Sequence, residues 1–206
     1  MSDNLSSKNV VLFGAGPMAM DYAKVLKHLD TNFTAVGRSR EGTDKFEEQT
    51  GIAAIANGVL GWQEKGNTNA EYGIVAVSFE ALAATTIELM DAGIRKILLE
   101  KPAGLTTSEI HSVCEHAKKT DTRIFVGYNR RFYASVIEAK KLIESDRGVR
   151  SFNFEFTEWC DDIPQKLKHS NTGENWFLAN SSHVVDMAFY LGGDPQEIHS
   201  WTAGGN

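Results

Sequence analysis

The sequence predicts an α/β protein that opens on a doubly wound parallel sheet, and three observations carry that prediction. Short apolar runs alternate with helix-period segments from residue 9 to residue 126. A glycine-rich turn joins the first of these runs to the first helix. Beyond residue 127 the apolar pattern changes to a period of two, the mark of a strand with one covered face. The expected division is therefore a first domain over 1–127 and a second over 128–206, the latter a partial α+β domain with an antiparallel or mixed sheet covered on one face.

The elements follow in order. Residues 9–13, Asn-Val-Val-Leu-Phe, form a short β-branched run and read as a buried strand. Residues 18–29 place Met18, Tyr22, Val25, Leu26 and Leu29 at helical spacing. A second strand over 33–36 ends at Gly37, and a helix over 44–50 has Asp44 or Thr43 as its cap. Residues 72–77 read as a strand, 81–92 as an Ala-rich helix closed by Gly93, and 96–99 as a strand. A helix over 107–119, capped by Ser108 or Thr107, leads to a strand over 123–126. This makes five or six strands separated by helices. In the second part a helix is expected over 132–144, broken at Asp146-Arg147-Gly148. Residues 149–159 then set Phe152, Phe154 and Phe156 against Asn153, Glu155 and Thr157, as a strand would. A polar surface loop over 161–174, a helix over 182–191 with Asn180, Ser181 or Ser182 to cap it, and a strand starting at 198–203 complete the reading. An ordinary two-domain enzyme would run on for roughly another hundred residues, so the second domain is expected to be truncated.

Composition bounds the function. Hydrophobic residues make up 42% of the 206 and charged residues 23%, enough apolar content for a real core. A formal net charge of -6 argues against a general nucleic-acid surface. Only Cys114 and Cys160 are present, without metal-type spacing, which fits free thiols in a reducing compartment. From the polar N-terminus no signal peptide is expected, and no apolar run approaches the ~20 residues of a membrane span. The expectation is a cytoplasmic protein with no membrane and no nucleic-acid partner.

The chemistry begins at Gly14-Ala15-Gly16-Pro17-Met18-Ala19, between the first predicted strand and helix. Gly14 suits the tight turn, Gly16 lets backbone approach a pyrophosphate, and Ala19 allows close helix packing. The free N–H groups of the helix start supply an anion site. A Rossmann-type dinucleotide site is expected here, the alternative being glycines that merely serve a turn. At the end of the second strand, where NAD sites carry an acid, the sequence has Arg38-Ser39-Arg40. These residues favour the 2′-phosphate of NADP over NAD; the alternative is a solvated loop. Ser78, after the next strand, is a further expected cofactor contact. Glu100-Lys101-Pro102 closes another strand at the edge where such sheets bind ligands. The ammonium of Lys101 would donate to a substrate oxygen or exchange a proton, with Glu100 orienting it and Pro102 fixing the turn, a cis bond being one way to do so. A surface ion pair is the alternative.

The fingerprint, Leu99-Glu100-Lys101-Pro102, Val126-Gly127-Tyr128-Asn129-Arg130-Arg131-Phe132, Trp176 and Asn180-Ser181-Ser182-His183-Val184-Val185-Asp186 together resemble the glucose–fructose oxidoreductase / inositol dehydrogenase / rhizopine-catabolism (Gfo/Idh/MocA) family. The resemblance implies an NAD(P)-dependent oxidoreductase of a sugar, cyclitol or related polyol. It implies a second domain, built on an open, mostly antiparallel sheet, that binds substrate and often forms the homo-oligomer interface. Lys101 matches a lysine near the nicotinamide and the reacting carbon. His183 matches the histidine that serves as general acid/base. Tyr128, Asn129 and Arg130 match a loop bordering the active site, with Asn129 among the cofactor contacts. Many members carry an aspartate four residues before the histidine; Ala179 stands there in this chain. From the residues alone, His183 could equally be a partly buried histidine satisfied by Asn180 or Asp186. Trp159, Trp176 and Trp201 are candidates to line a sugar pocket, with packing as the alternative. Two rival readings remain: an enzyme that uses a tightly held NAD transiently for elimination or hydrolysis, and a dinucleotide-binding module or assembly partner with little catalysis.

Overall fold

The computed structural model describes residues 8–66, 69–157, 176–201 and 203, and the chain divides into two compact units, Met1–Gly127 and Tyr128–Asn206. The first unit runs β1 (Asn9–Phe13), α1 (Pro17–His28), β2 (Asn32–Val36), α2 (Arg40–Thr50), β3 (Ala54–Ile55), α3 (Gly58–Glu64), β4 (Tyr72–Val75), α4 (Leu82–Asp91), β5 (Lys96–Leu99), α5 (Thr107–Thr120) and β6 (Arg123–Val126). Its six strands are all parallel, in the order β3-β2-β1-β4-β5-β6. The direction of winding therefore reverses between β1 and β4, which sets Leu12 beside both Ala35 and Ile74.

Alternation along β1 divides the core between the two faces of the sheet. Val11 and Phe13 join Val36, Trp62, Val75, Leu89, Ile97 and Leu99 on one side. Val10 and Leu12 join Ala19, Ala23, Leu26, Ala35, Phe46 and Ile74 on the other. Helices cover both faces, so the strands read as nearly continuous apolar runs, as a buried parallel sheet requires.

Several elements differ from the sequence reading. The stripe that α1 buries is Ala19, Ala23 and Leu26, while Met18, Val25 and Leu29 are exposed. Alanine lets the helix lie close on β1, which shifts the buried arc away from the larger side chains. Helix α2 starts at Arg40 rather than Asp44, because Ser39 caps it by accepting a hydrogen bond from the Gly42 N–H. Helix α5 is capped by Thr106, in a reciprocal box with Glu109, not by Thr107 or Ser108. Strand β3 and helix α3 were not expected at all. Helix α3 buries Trp62, whose ring meets Phe13 edge-on at 5.8 Å between centroids.

The second unit opens with a tight 3₁₀ turn, Asn129–Phe132, followed by α6 (Ala134–Ser145). Phe132 therefore belongs to that turn and not to the helix. A π-helical turn, Phe177–Ser181, leads into α7 (Ser182–Gly192), and no side chain caps that junction. The expected strand over 149–159 is not formed among the described residues: 150–157 carry no strand pairing. Phe152 and Phe154 do stack, with centroids 6.2 Å apart, so the alternation is expressed in side-chain direction without a partner strand to make ladder bonds. Residues 198–201 likewise form no strand. The expected loop over 161–174 and Trp159 lie outside the described residues.

Candidate active site

In the first unit the candidate residues come from strand ends, and every one lies at the carboxyl edge of the parallel sheet. After β1, Gly14 takes φ +136°, and a β-carbon there would come within 2.2 Å of the Ala76 carbonyl oxygen. Only glycine fits, and the resulting turn lets the Gly14 N–H donate to the Val36 carbonyl at 2.8 Å. Gly16 differs: a β-carbon on it would meet nothing within 4 Å. It is exposed, it is the N-cap of α1, and no side chain caps the helix start. Pro17 takes the first helical position, where a missing N–H costs nothing. No acidic residue stands in that first turn to compete for its positive end. The loop is thus tight where it packs on β4 and open where an anion would approach. The residues fit a dinucleotide pyrophosphate.

After β2, Arg38, Ser39 and Arg40 are exposed. Their roles separate. The Ser39 hydroxyl is occupied as the cap of α2, and the Arg40 Nε is paired with Asp44 at 3.0 Å on the helix surface. Arg38 makes no hydrogen bond or ion pair with the described residues, so its guanidinium is available at the strand end. After β4, Ser78 is exposed, in extended backbone ahead of the turn Phe79–Ala81.

After β5 comes Glu100, buried at 7% exposure. Its Oε1 accepts a 2.6 Å hydrogen bond from the Tyr22 hydroxyl on α1. Burial above all, then the hydrogen bond to Glu100 and its negative charge, push the Tyr22 phenol well above its ordinary value. Lys101 is half-buried, its Nζ 5.2 Å from the centroid of the Phe79 ring, and the Lys101–Pro102 bond is cis. Tyr22 was read from sequence only as an apolar helix position. Its place one turn after the fingerprint, on the helix packed over the sheet edge, was the available signal.

In the second unit, His183 is half-buried in the first turn of α7 and meets Tyr128 edge-on, with centroids 5.7 Å apart. Asp186, one turn further on, is taken by Arg131, which donates to it through both Nε, at 2.7 Å, and a terminal nitrogen. The bidentate pair raises the Arg131 guanidinium further above its ordinary value, chiefly through these hydrogen bonds. Asp186 is thereby committed to the 3₁₀ turn that holds Tyr128 and Asn129. Arg131 also lies 4.8 Å from the centroid of the Tyr190 ring. Asn129 is exposed, and Trp201, at 85% exposure, packs against little. Among the described residues no cluster of His, Cys, Asp or Glu is arranged to hold a metal ion, and no helix is long and apolar enough to cross a membrane.

Comparison with known proteins matches residues 8–128 to the family model described as the GFO_IDH_MocA oxidoreductase family, NAD-binding Rossmann fold. The myo-inositol 2-dehydrogenase of Thermotoga maritima is 28% identical over 103 residues, covering 50% of this chain and 30% of that protein. Among solved structures, a levoglucosan dehydrogenase in complex with NADH and levoglucosan superposes with a TM-score of 0.72 at 22% identity. That match covers 91% of this chain and 54% of the other. The WlbA dehydrogenase from Bordetella pertussis, in complex with NADH and UDP-GlcNAcA, gives a TM-score of 0.70 at 21% identity, over 89% of this chain and 59% of the other. The chain thus spans under a third of the curated relative and little more than half of each of these solved chains.

Proposed function

The chain belongs to the Gfo/Idh/MocA oxidoreductase family, with its NAD-binding Rossmann fold, and from that premise we propose that it is the cofactor-binding part of a dehydrogenase for a sugar, cyclitol or related polyol, or for the corresponding keto-sugar. One observation carries this reading: the fingerprint loop, Arg38, Ser78 and the Glu100-Lys101 turn come from four strand ends on one edge of the sheet, around the point where the winding reverses. When bound, a nicotinamide dinucleotide would accept or supply the hydride.

The chain's own residues do the rest. The backbone of Gly14, Ala15 and Gly16 and the start of α1, from Pro17 through Met18 to Ala19, cradle the pyrophosphate. Arg38 recognises a 2′-phosphate and selects NADP over NAD, and Arg40 and Ser39 support the loop that presents it. Lys101 donates from its ammonium to the substrate oxygen, and His183 exchanges the hydroxyl proton as general acid/base. Glu100 and Asn129 complete the cofactor surroundings. The second unit, completed by an open antiparallel sheet, is the substrate domain and the homo-oligomer interface. With two isolated cysteines, the cytoplasm is the proposed location.

Titration with NADPH and with NADH, followed by nicotinamide fluorescence, tests the reading. NADPH is expected to bind tighter than NADH, and Arg38→Ala to weaken NADPH by about tenfold or more, as the loss of a charged hydrogen bond does. NADH affinity should stay within about twofold, because its ribose offers no phosphate for that guanidinium. Equal affinities would end the NADP assignment, and binding of neither would end the dinucleotide reading. Lys101→Met should abolish turnover of keto-sugars with cofactor affinity nearly intact; lost affinity instead would make the lysine structural.

A further inference from the structure

The Arg131–Asp186 pair has no part in the binding or proton-transfer roles above, yet it is built around the residue assigned to one of them. His183 lies in the first turn of α7, where the π-helical turn gives way to α-helix. No side chain caps that junction, and an uncapped junction is a weak point of a helix. The imidazole is half-buried, and the last torsion of a histidine side chain is broad unless a neighbour restricts it. Asp186 stands one turn further along the same helix face, its side chain 11% exposed. Arg131, 55 residues earlier in the chain, donates to it from Nε at 2.7 Å and from a terminal nitrogen. The Arg131 Cζ also lies 4.8 Å from the centroid of the Tyr190 ring and 5.8 Å from that of Tyr128. Tyr128 in turn meets the His183 ring at 5.7 Å between centroids, with the two planes 84° apart. The contacts thus close a circuit: helix α7 carries His183 and Asp186, and the segment 128–132 reaches both through Tyr128 and Arg131.

We propose that Arg131 is a positioning residue for His183: by gripping Asp186 it clamps the 3₁₀ turn onto α7 and keeps the Tyr128 ring edge-on to the imidazole. Edge-to-face contact is a favoured arrangement of two rings, so the held phenol restricts how the imidazole can turn. The clamp acts on that ring contact and leaves the other partners of His183 in place. Arginine suits the position better than a simple cation, because a planar guanidinium takes both carboxylate oxygens and lies against aromatic rings at the same time. The inference rests on the proposed function for what the imidazole does, but the clamp itself can be read without turnover.

The test is the NMR position of the His183 ring signals in the full chain, labelled at histidine and assigned with His183→Gln. The neighbouring phenol displaces those signals, and Tyr128→Leu sets the value they take with no ring beside the imidazole. Tyr128→Phe keeps the ring and should leave them close to the parent's. Arg131→Met removes the clamp but not the ring, and should move the signals at least about half of the way to the Tyr128→Leu value, as coupled neighbours do. Signals that stay at the parent's position in Arg131→Met overturn the proposal, and so do signals that Tyr128→Leu fails to move. Dispersed methyl signals of Val136 and Ala188, the buried apolar side chains of this unit, show that a variant is folded. Should Arg131→Met fail to fold, Arg131→Lys keeps the charge and loses the fork: a smaller movement in the same direction supports the proposal, and none overturns it. In assays of turnover kcat of Arg131→Lys should fall by about tenfold while KM holds, since the misplaced group is the one that moves the proton. Full turnover by His183→Gln would end the acid/base role in the proposed function while leaving the clamp standing.

Discussion

Gly14 and Gly16 belong to one motif and do different work. The sequence marks both as loop glycines, and the structure tells them apart. Gly14 is demanded by the fold, because of its positive φ and the Ala76 carbonyl; at Gly16 a β-carbon would meet nothing within 4 Å, so the fold itself does not require a glycine there. Gly14→Ala should therefore destabilise the protein by about 2 kcal/mol or more, since strain and a backbone clash add. Gly16→Ala should leave the urea midpoint unchanged and weaken NADPH by about tenfold. A Gly16 variant that loses stability instead would make that glycine structural as well. Tyr22 adds a pH dependence of known sign. Its folded pKa is raised above the ordinary phenol value of 10.0, chiefly by burial, so the stabilisation it brings is complete below pH 10. Above pH 10 the unfolded chain gives up that proton while the folded chain keeps it, and stability falls as pH rises, by up to about 1.4 kcal/mol per pH unit for one group. Urea unfolding between pH 9 and 11 should show this loss in the parent and a shallower one in Tyr22→Phe. Equal slopes would mean that the phenol is not held neutral by the fold. The sequence could name Glu100 and Lys101 through their position at a strand end. It could not name Tyr22, whose role depends on a partner 78 residues away.

At the scale of elements, periodicity revealed the long helices and buried strands and missed what is short or capped ahead of the expected residue. Strand β3 is two residues long, too short for any period, and α3 carries Gly58 and Gly61, which dilute its pattern. The two caps were misplaced for different reasons. The first large apolar residue of α2 is Phe46, so the cap was expected at Thr43 or Asp44, whereas Ser39 starts the helix a full turn earlier. In Leu105-Thr106-Thr107-Ser108 several hydroxyls compete, and only the backbone decides which faces the first free N–H groups. Those assignments have consequences. Thr106→Ala removes the hydroxyl half of a capping box and should cost about 1 kcal/mol, seen as a lower urea midpoint with NADPH affinity unchanged. Ser39→Ala should cost a similar amount and also disturb the loop that presents Arg38. A cap and the loop proposed to face the cofactor coincide at Ser39 and not at Thr106, so only the first substitution should be felt by NADPH.

The two units differ in how much core each holds, and this sets how the whole molecule should unfold. In the first unit two apolar clusters enclose a six-stranded sheet, with Leu12, Phe46, Trp62, Leu82 and Leu99 removed from solvent. Among the described residues of the second unit only Val136 and Ala188 are buried apolar side chains. Phe132, Leu142, Phe152, Phe154 and Ile198 are exposed, and an apolar cavity of about 370 Å³ lies between Ile143, Phe152, Met187 and Leu191. The period-two run that announced a half-covered strand was legible as a pattern; a covered face also needs a neighbouring strand, and one segment's sequence cannot supply it. Calorimetry should therefore resolve two transitions, the second unit melting first. NADPH at about a hundred times its Kd adds roughly 2.7 kcal/mol to whichever unit binds it. For a unit the size of the first, this moves the midpoint up by roughly 10 °C. Only the upper transition should move, because every feature of the anion site lies in the first unit. A single transition that shifts as a whole would show that the units fold cooperatively, and movement of the lower one alone would place the cofactor's main anchorage outside the fingerprint loop.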